Sequence, residues 1–336
     1  MQLLRAVLMR LAMVAVTLLG VAVIVFVVIR VVPGNPVAMM LPPGATEADI
    51  ARLQALYGLD KSIPEQFVIW LSGVVQGDFG TSISQRQPVL GLVLNRLPAT
   101  LELSIFALVL AIIMGGTLAL TGTRLRGTPA EGIIDIINGV ALSIPDFLWG
   151  LVLILLFGVL VPVFAISGRV TPGLDFQFHT QFFLFEALAR GRLDVWWNLI
   201  THNFMPALAL SIPLAAIIAQ LLKQSLKEVM HLDYVTLSRV KGYGENHVIT
   251  REALPNAVLP TLTLIGVQFT FLIGGTVIIE RLFSYEGLGN MAIDAVINRD
   301  LPLIQGIVIV FALIFTLVNL LVDLSYAALN PRLRHG

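Results

Sequence analysis

The chain has 336 residues; 57% are hydrophobic, 12% are charged, and 21 basic side chains balance 21 acidic ones to a formal net charge of zero. A soluble domain carries roughly 25% charged residues, so 42 charged side chains are too few to coat a soluble fold of this length. With a mean hydropathy of +0.89, the sequence reads as an all-α polytopic membrane protein whose apolar runs have helical length. The neutral balance gives no pointer to nucleic acid, and the absence of cysteine excludes disulfides, thiolate nucleophiles and sulfur-ligated metals.

A hydrocarbon core of about 30 Å takes about 20 apolar helical residues. Uncharged runs of that order lie at 11–29, 103–123, 147–168, within 195–222, at 253–279 and at 301–322, so six spans are expected. The third is expected to start earlier, because 136–145 is also uncharged. The first run lies between Arg10 and Arg30. It is longer than the 7–15 residues, roughly, of a signal-peptide core, and no small-x-small cleavage site follows it, so it is expected to be retained. No internal repeat is visible that would indicate a solenoid.

Residues 32–97 are expected outside the cell membrane. There Thr46 and Asp49 form a capping-box pattern ahead of Ile50, Leu53 and Leu56, with Gly58 as a stop. Pro64 suits the first position of a second helix carrying Phe67, Trp70, Leu71 and Val74. Both helices are expected to lie on the membrane as an interfacial cap, in preference to a docking face for another protein. Loop charge sets the orientation. With the N-terminus inside, segments 1–10, 122–132, 223–256 and 330–336 hold 11 Lys or Arg in 62 residues, whereas 32–97, 168–203 and 280–303 hold 9 in 126. Both termini are therefore expected in the cytoplasm. The expected division is 1–31 (N-terminus and first helix), 32–97 (outer loop), 98–330 (five-helix core containing the inside loop 223–256) and 331–336 (tail).

Catalytic signatures are missing. A phosphate cradle needs G-x-x-x-x-G-K-[ST], yet only Lys61 of the four lysines precedes a serine, and Asp60 stands before it. The histidines (His179, His202, His231, His247, His335) show no H-E-x-x-H spacing, and no G-x-S-x-G elbow occurs. The chain is expected to be no enzyme and to hold no cofactor or metal. Among the acids in or beside spans, Glu102, Asp135 and Asp323 fall near span ends, where headgroup-level solvation accounts for them. Asp146 differs: it follows Pro145 in Ser143-Ile144-Pro145-Asp146-Phe147, mid-way along an apolar stretch. Proline frees a backbone carbonyl, so a kink with an acid beside it either lines a wet cavity or is purely structural.

The inside loop 223–256 is expected to hold a short helix capped by Asp233, with Tyr234, Leu237 and Val240 as an apolar stripe and Gly242 as a left-handed stop. A second short helix is expected to end near Pro255. The first helix suits protein docking or the membrane surface equally.

Thr236-Leu237-Ser238 through three residues to Gly242, then nine residues to Glu252-Ala253-Leu254-Pro255, resembles the E-A-A-x3-G-x9-I-x-L-P loop of ABC importer permeases. The triplet and the isoleucine depart from that pattern. Thr236-Leu237-Ser238-Arg239-Val240-Lys241-Gly242 with Ala253-Leu254-Pro255-Asn256-Ala257 is nearer its peptide-permease variant. Further matching motifs are Pro33-Gly34-Asn35-Pro36, Gly77-Asp78-Phe79-Gly80-Thr81-Ser82, the run from Arg96 to Leu103, and Ser143-x-Pro145-x-Phe147-x-x-Gly150. Towards the end, Glu280-x-x-Phe283-x-x-x-Gly287-Leu288-Gly289, Arg299-Asp300-x-Pro302 and Asn330-Pro331-Arg332-x-Arg334 also match. Along nearly its whole length the chain resembles B-type permease subunits of dipeptide and oligopeptide ABC importers, most closely the dipeptide members.

The resemblance implies a type I importer permease in a bacterial inner membrane. It implies a C-type permease as partner, two cytoplasmic ATPase subunits that bring ATP and magnesium, a periplasmic binding protein and a peptide substrate. Residues Asp233, Thr236, Leu237, Ser238, Arg239, Lys241 and Gly242 are then expected to couple to the ATPases, and Ser143, Pro145, Asp146 and Phe147 to line the path. Importers of nickel chelates, glutathione or longer peptides fit the same motifs. A proton-coupled secondary transporter using Asp146 is the rival from another class, and it would call for an inverted repeat.

Overall fold

The computed structural model describes residues 2–31, 46 and 60–329. The expected helix at 46–58, the Pro33-Gly34-Asn35-Pro36 motif and the ending Asn330-Pro331-Arg332-x-Arg334 lie outside the described residues, Thr46 excepted. Twelve α-helices are described in chain order: α1 (Gln2–Val31), α2 (Ile63–Val75), α3 (Val89–Arg124), α4 (Pro129–Ser143), α5 (Asp146–Leu153), α6 (Phe183–Ala189), α7 (Leu193–Val229), α8 (Asp233–Val240), α9 (Glu245–His247), α10 (Leu254–Leu282), α11 (Leu288–Ile297) and α12 (Leu301–Leu329). Wide π turns extend α5 over Ile154–Leu160 and join α9 to α10 over Val248–Ala253.

Four helical stretches are long and apolar enough to cross a membrane: Val89–Arg124, Leu193–Val229, Glu245–Leu282 and Leu301–Val322. A fifth is the pair formed by α4 and the extended α5, bent by 103° at its break. The apolar stretch Ala12–Val28 of α1 is shorter; with it, the helices are compatible with the six expected spans. The third apolar run is bent where the sequence expects a kink, because Pro145 cannot continue α4 and instead precedes α5. One expectation is corrected: the chain does not stop at Pro255. That residue stands in the first turn of α10, where its missing N–H costs nothing, and the helix runs on.

The chain divides into two compact units, residues 1–97 with 291–320 and residues 98–290 with 321–336. In the first unit, α2 starts one residue earlier than expected, with Pro64 as its second residue, and a capping box closes its start: Ser62 N–H and Oγ donate to Glu65 Oε2 at 3.0 and 2.8 Å. α2 packs on α1 through Phe26, which meets Phe67 edge-on at 5.1 Å and Trp70 at 5.6 Å between ring centroids. Farther on, Asp300 joins two motifs distant in sequence. It accepts from Ser82 Oγ at 2.6 Å, Ser84 N–H at 2.9 Å and Ser84 Oγ at 2.7 Å, and caps α12 through Leu303 N–H at 3.2 Å. Burial pushes its carboxyl up, but the donors from Ser82 and Ser84 outweigh burial and hold it below the usual aspartate range.

In the second unit, α3 presents Ala99, Leu103, Ala107 and Ala111, one every turn and all fully buried, to the core built on α7. Small residues let membrane helices approach closely. At Gly115 the approach is backbone to backbone: a Cβ there would fall 2.5 Å from the Ala215 carbonyl oxygen and 2.9 Å from Ile218 Cβ. α7 is the central helix, with 67% of its most apolar stretch buried against 28–33% for the other long spans.

Several buried polar groups of this unit are paired, although Asn138 Oδ1, Arg169 Nε and Thr261 Oγ1 are buried without a partner among the described residues. Glu280, fully buried, accepts from Thr100 Oγ1 at 2.7 Å and Asn290 N–H at 3.0 Å, while Thr100 Oγ1 accepts from Leu288 N–H at 2.8 Å. Gly287 is required beside it, since any Cβ there would collide with the Glu280 carboxylate. Tyr285 Oη donates to Asn203 at 2.7 Å. Glu102 corrects another expectation. It is not solvated at headgroup level but buried in an ion pair with Arg169 at 2.5 Å, and it also accepts from Leu184 N–H at 2.9 Å. The segment between α5 and α6 folds over it and supplies the cation. Asp135 keeps its exposed edge and pairs with Lys223 Nζ at 2.7 Å.

Asp300 yields a pH-dependent prediction. A carboxyl held below its ordinary value of about 3.9 stabilises the fold fully above that pH, and the contribution fades as pH falls through the folded value. Asp300→Asn should therefore lose about 1.5–3 kcal/mol at pH 7, the size of a charge-assisted hydrogen bond. It should also flatten the acid limb of the unfolding midpoint measured in detergent between pH 7 and 3. Equal acid slopes in the two proteins would contradict this role.

Candidate functional site

Two places gather the residues singled out from the sequence. The first is the break between α4 and α5. Pro145 precedes α5 with extended backbone, which makes Asp146 the first helical residue, and Asp146 Oδ1 accepts from Phe147 N–H at 2.8 Å. A carboxylate is favoured at this end of a helix. Its other oxygen, Oδ2, faces α10, 3.8 Å from where a Cβ on Gly275 would stand. The break opens into a cleft of about 250 Å³ walled by one face each of α7 and α10 at mid-length. The residues follow helical spacing: Leu210, Pro213, Leu214 and Ile217 on α7, and Gln268, Phe271, Leu272 and Gly275 on α10. Asp146 and Gln268 are the only polar side chains that line it.

Of the four residues expected here, Pro145 and Asp146 line the cleft, whereas Ser143 and Phe147 do not. Ser143 Oγ donates back to the Gly139 carbonyl at 2.8 Å, which helps close α4. Phe147 contributes its backbone N–H. Sequence reasoning missed Gln268 and Gly275. The available signal was an uncharged amide in the middle of an otherwise apolar span.

The second place is α8. Its inward face is held by Val235, fully buried among Leu222, Leu226 and Met230 at the end of α7 and Val248, Ile249 and Ala253 before α10. Ser238 is buried on the same face. The outward face carries the expected stripe, with Tyr234, Leu237 and Val240 at 38%, 53% and 78% exposure, and Thr236, Arg239 and Lys241 also exposed. Leu232, not Asp233, is the N-cap. Asp233 lies in the first turn, where its charge suits the helix dipole without a capping hydrogen bond.

Two contacts and one backbone turn fix the orientation of α8. Arg239 forks onto Glu245 with N···O distances of 2.8 and 3.1 Å. Asn256 donates to Tyr234 Oη at 2.7 Å. Gly242 takes φ +85°, the left-handed stop expected, which an L side chain adopts only with strain. The helix is thus a short rigid lug with an apolar outer face. Such a shape can transmit a push from a docked partner into α7 and α10.

Comparison with known proteins places this geometry. Residues 105–335 match the family described as binding-protein-dependent transport system inner membrane component, and residues 3–104 match its N-terminal companion. The chain is 36% identical over 337 residues to the dipeptide transport system permease protein of Escherichia coli strain K12, covering 99% of each chain. It is 34% identical over 329 residues to the di/tripeptide transport system permease protein of Pseudomonas aeruginosa, covering 97% of each. It is 33% identical over 321 residues to the glutathione transport system permease protein of Salmonella choleraesuis, covering 95% of each. Its fold is similar to a chain of the inward-facing MetNI methionine ABC transporter, with a TM-score of 0.55 and 14% identity over 72% of this chain and 97% of that one. The chain therefore belongs to the binding-protein-dependent transport system inner membrane components: it is a multi-pass membrane permease subunit of an ABC transporter.

Proposed function

We propose that this subunit forms half of the path of an ATP-driven importer for dipeptides and short peptides. The end-to-end likeness to dipeptide and di/tripeptide permeases carries the substrate class. The glutathione permease among its relatives supports a second reading within the same class, since glutathione is itself a small peptide. A second permease subunit completes the path, two cytoplasmic ATPase subunits bind ATP and magnesium, and a binding protein delivers the peptide from the periplasm. Membership of the family sets aside the proton-coupled alternative. Both termini and the turn at Gly242 lie in the cytoplasm on this reading, in keeping with the basic residues concentrated in those loops.

The coupling runs through α8. Closure of the ATPases on nucleotide does work on the permease only through contacts that differ between the two states. The exposed stripe of Leu237 and Val240 is the apolar surface suited to a groove on an ATPase. Val235 and the Arg239–Glu245 fork pass the displacement to α7 and α10. Asp146 lines the path, because an acid beside a broken helix at mid-span is expensive without a use.

Leu237→Asp would bury an unpaired carboxylate in the ATPase contact, at a cost of several kcal/mol. It should abolish co-purification of the ATPase subunits together with peptide uptake. Gly242→Pro, incompatible with a positive φ, should spare more of the co-purification and uncouple hydrolysis from uptake. Normal association and uptake in Leu237→Asp would move the coupling role elsewhere. Asp146→Asn should reduce uptake at least several-fold while the assembled complex and its ATP hydrolysis persist; unchanged uptake would return Asp146 to a structural part in the helix break.

A further inference from the structure

The cleft at the α4–α5 break holds more than an acid. Its two polar side chains come from different helices, Asp146 from the start of α5 and Gln268 from the middle of α10. Both are half-buried. Asp146 Oδ1 is engaged by Phe147 N–H, but among the described residues no other residue donates to Oδ2 and Gln268 makes no side-chain hydrogen bond. A half-buried carboxylate oxygen and a half-buried amide, whose oxygen accepts and whose nitrogen donates, face one space of about 250 Å³.

The walls narrow the choice of ligand. Everything else around the cleft is apolar or lacks a side chain, with Phe271, Leu214 and Leu272 beside the polar pair and Gly275 opposite Oδ2. A ligand that fits must bring donors and a positive charge to Asp146 and an apolar or small body to the wall. The face of the Phe271 ring, 65% exposed, favours a cation as well. A primary ammonium with three donors matches this set; a carboxylate would be repelled by Asp146.

We propose that this cleft is an ammonium subsite of the transport path, in which Asp146 Oδ2 and the Gln268 side-chain oxygen hold the N-terminal ammonium of the passing peptide. Gly275 leaves room for it, and Phe271 with Leu214 and Leu272 receive the first side chain. This rests on the importer reading and adds Gln268, Gly275 and Phe271 to it. Peptide orientation follows: the amino end is held on this subunit, and the carboxyl end points away from Asp146.

The test uses the absence of native cysteine. Ile217→Cys places one thiol on the cleft wall of the assembled transporter in membrane vesicles, and its rate of reaction with a maleimide is followed. Dialanine at millimolar concentration should slow labelling at least three-fold, and N-acetyl-dialanine, which has no ammonium, should not. Asp146→Asn or Gln268→Leu in the same background should abolish the protection without changing the labelling rate in the absence of peptide. Gln268→Glu, which keeps the acceptor and adds charge, should retain it. Equal protection by both peptides, protection by neither, or full protection surviving in Gln268→Leu overturns the subsite. ATP-driven uptake of dialanine by the same vesicles reports separately on the importer reading. Its failure would leave the labelling result standing as evidence on the cleft.

Discussion

Backbone contact between α3 and α7 is the constraint on which the larger unit depends. In hydrocarbon there is no solvent to drive helices together, so association rests on close packing and on satisfied polar groups. The stripe of Ala99, Leu103, Ala107 and Ala111 ends at Gly115, where even a methyl group would meet the Ala215 carbonyl. This contact fixes α7 at Ala215 and Ile218. The same helix carries the cleft wall at its middle, from Leu210 to Ile217, and the base of α8 at its end, through Leu222 and Leu226. A motion imposed on α8 therefore arrives at the cleft along one rigid element rather than through a loop.

The second requirement is polar closure. Glu280 with Thr100 and the Leu288–Asn290 turn, Tyr285 with Asn203, and Glu102 with Arg169 each satisfy groups that bilayer or protein interior would otherwise penalise. Against that background the open valences of Asp146 and Gln268 stand out. These closed networks hold the unit rigid, whereas Asp146 and Gln268 face a cavity that can take something transient.

Much of this was legible in the sequence, and the reason is length. An uncharged run near 20 residues has few outcomes in a membrane protein, so the positions of the long helices followed, as did the stripe on α8 and the left-handed turn at Gly242. The partners of acids were not legible. Asp300 meets Ser82 across 218 residues, and Glu102 meets Arg169 across 67, the latter from a segment without periodic pattern. Pro255 was misread as a stop because proline is equally at home in a first helical turn, and only the preceding π turn shows which applies. The cleft escaped for a similar reason: its lining comes from four helices, and Gln268 is one polar residue among many apolar ones.

The central claim is that α7 acts as a rigid connection between the docking helix and the cleft. Gly115→Val tests it most directly, because the added side chain forces α3 and α7 apart at Ala215 and Ile218 without touching α8. Peptide uptake and ATP hydrolysis would be measured together on the reconstituted transporter with its binding protein and ATPases. The account predicts that uptake falls below a tenth of wild type, on the order of the 1.4 kcal/mol that a tenfold change represents, while stimulated hydrolysis keeps more than half its rate. Uptake that stays in its wild-type ratio to hydrolysis in Gly115→Val would contradict it.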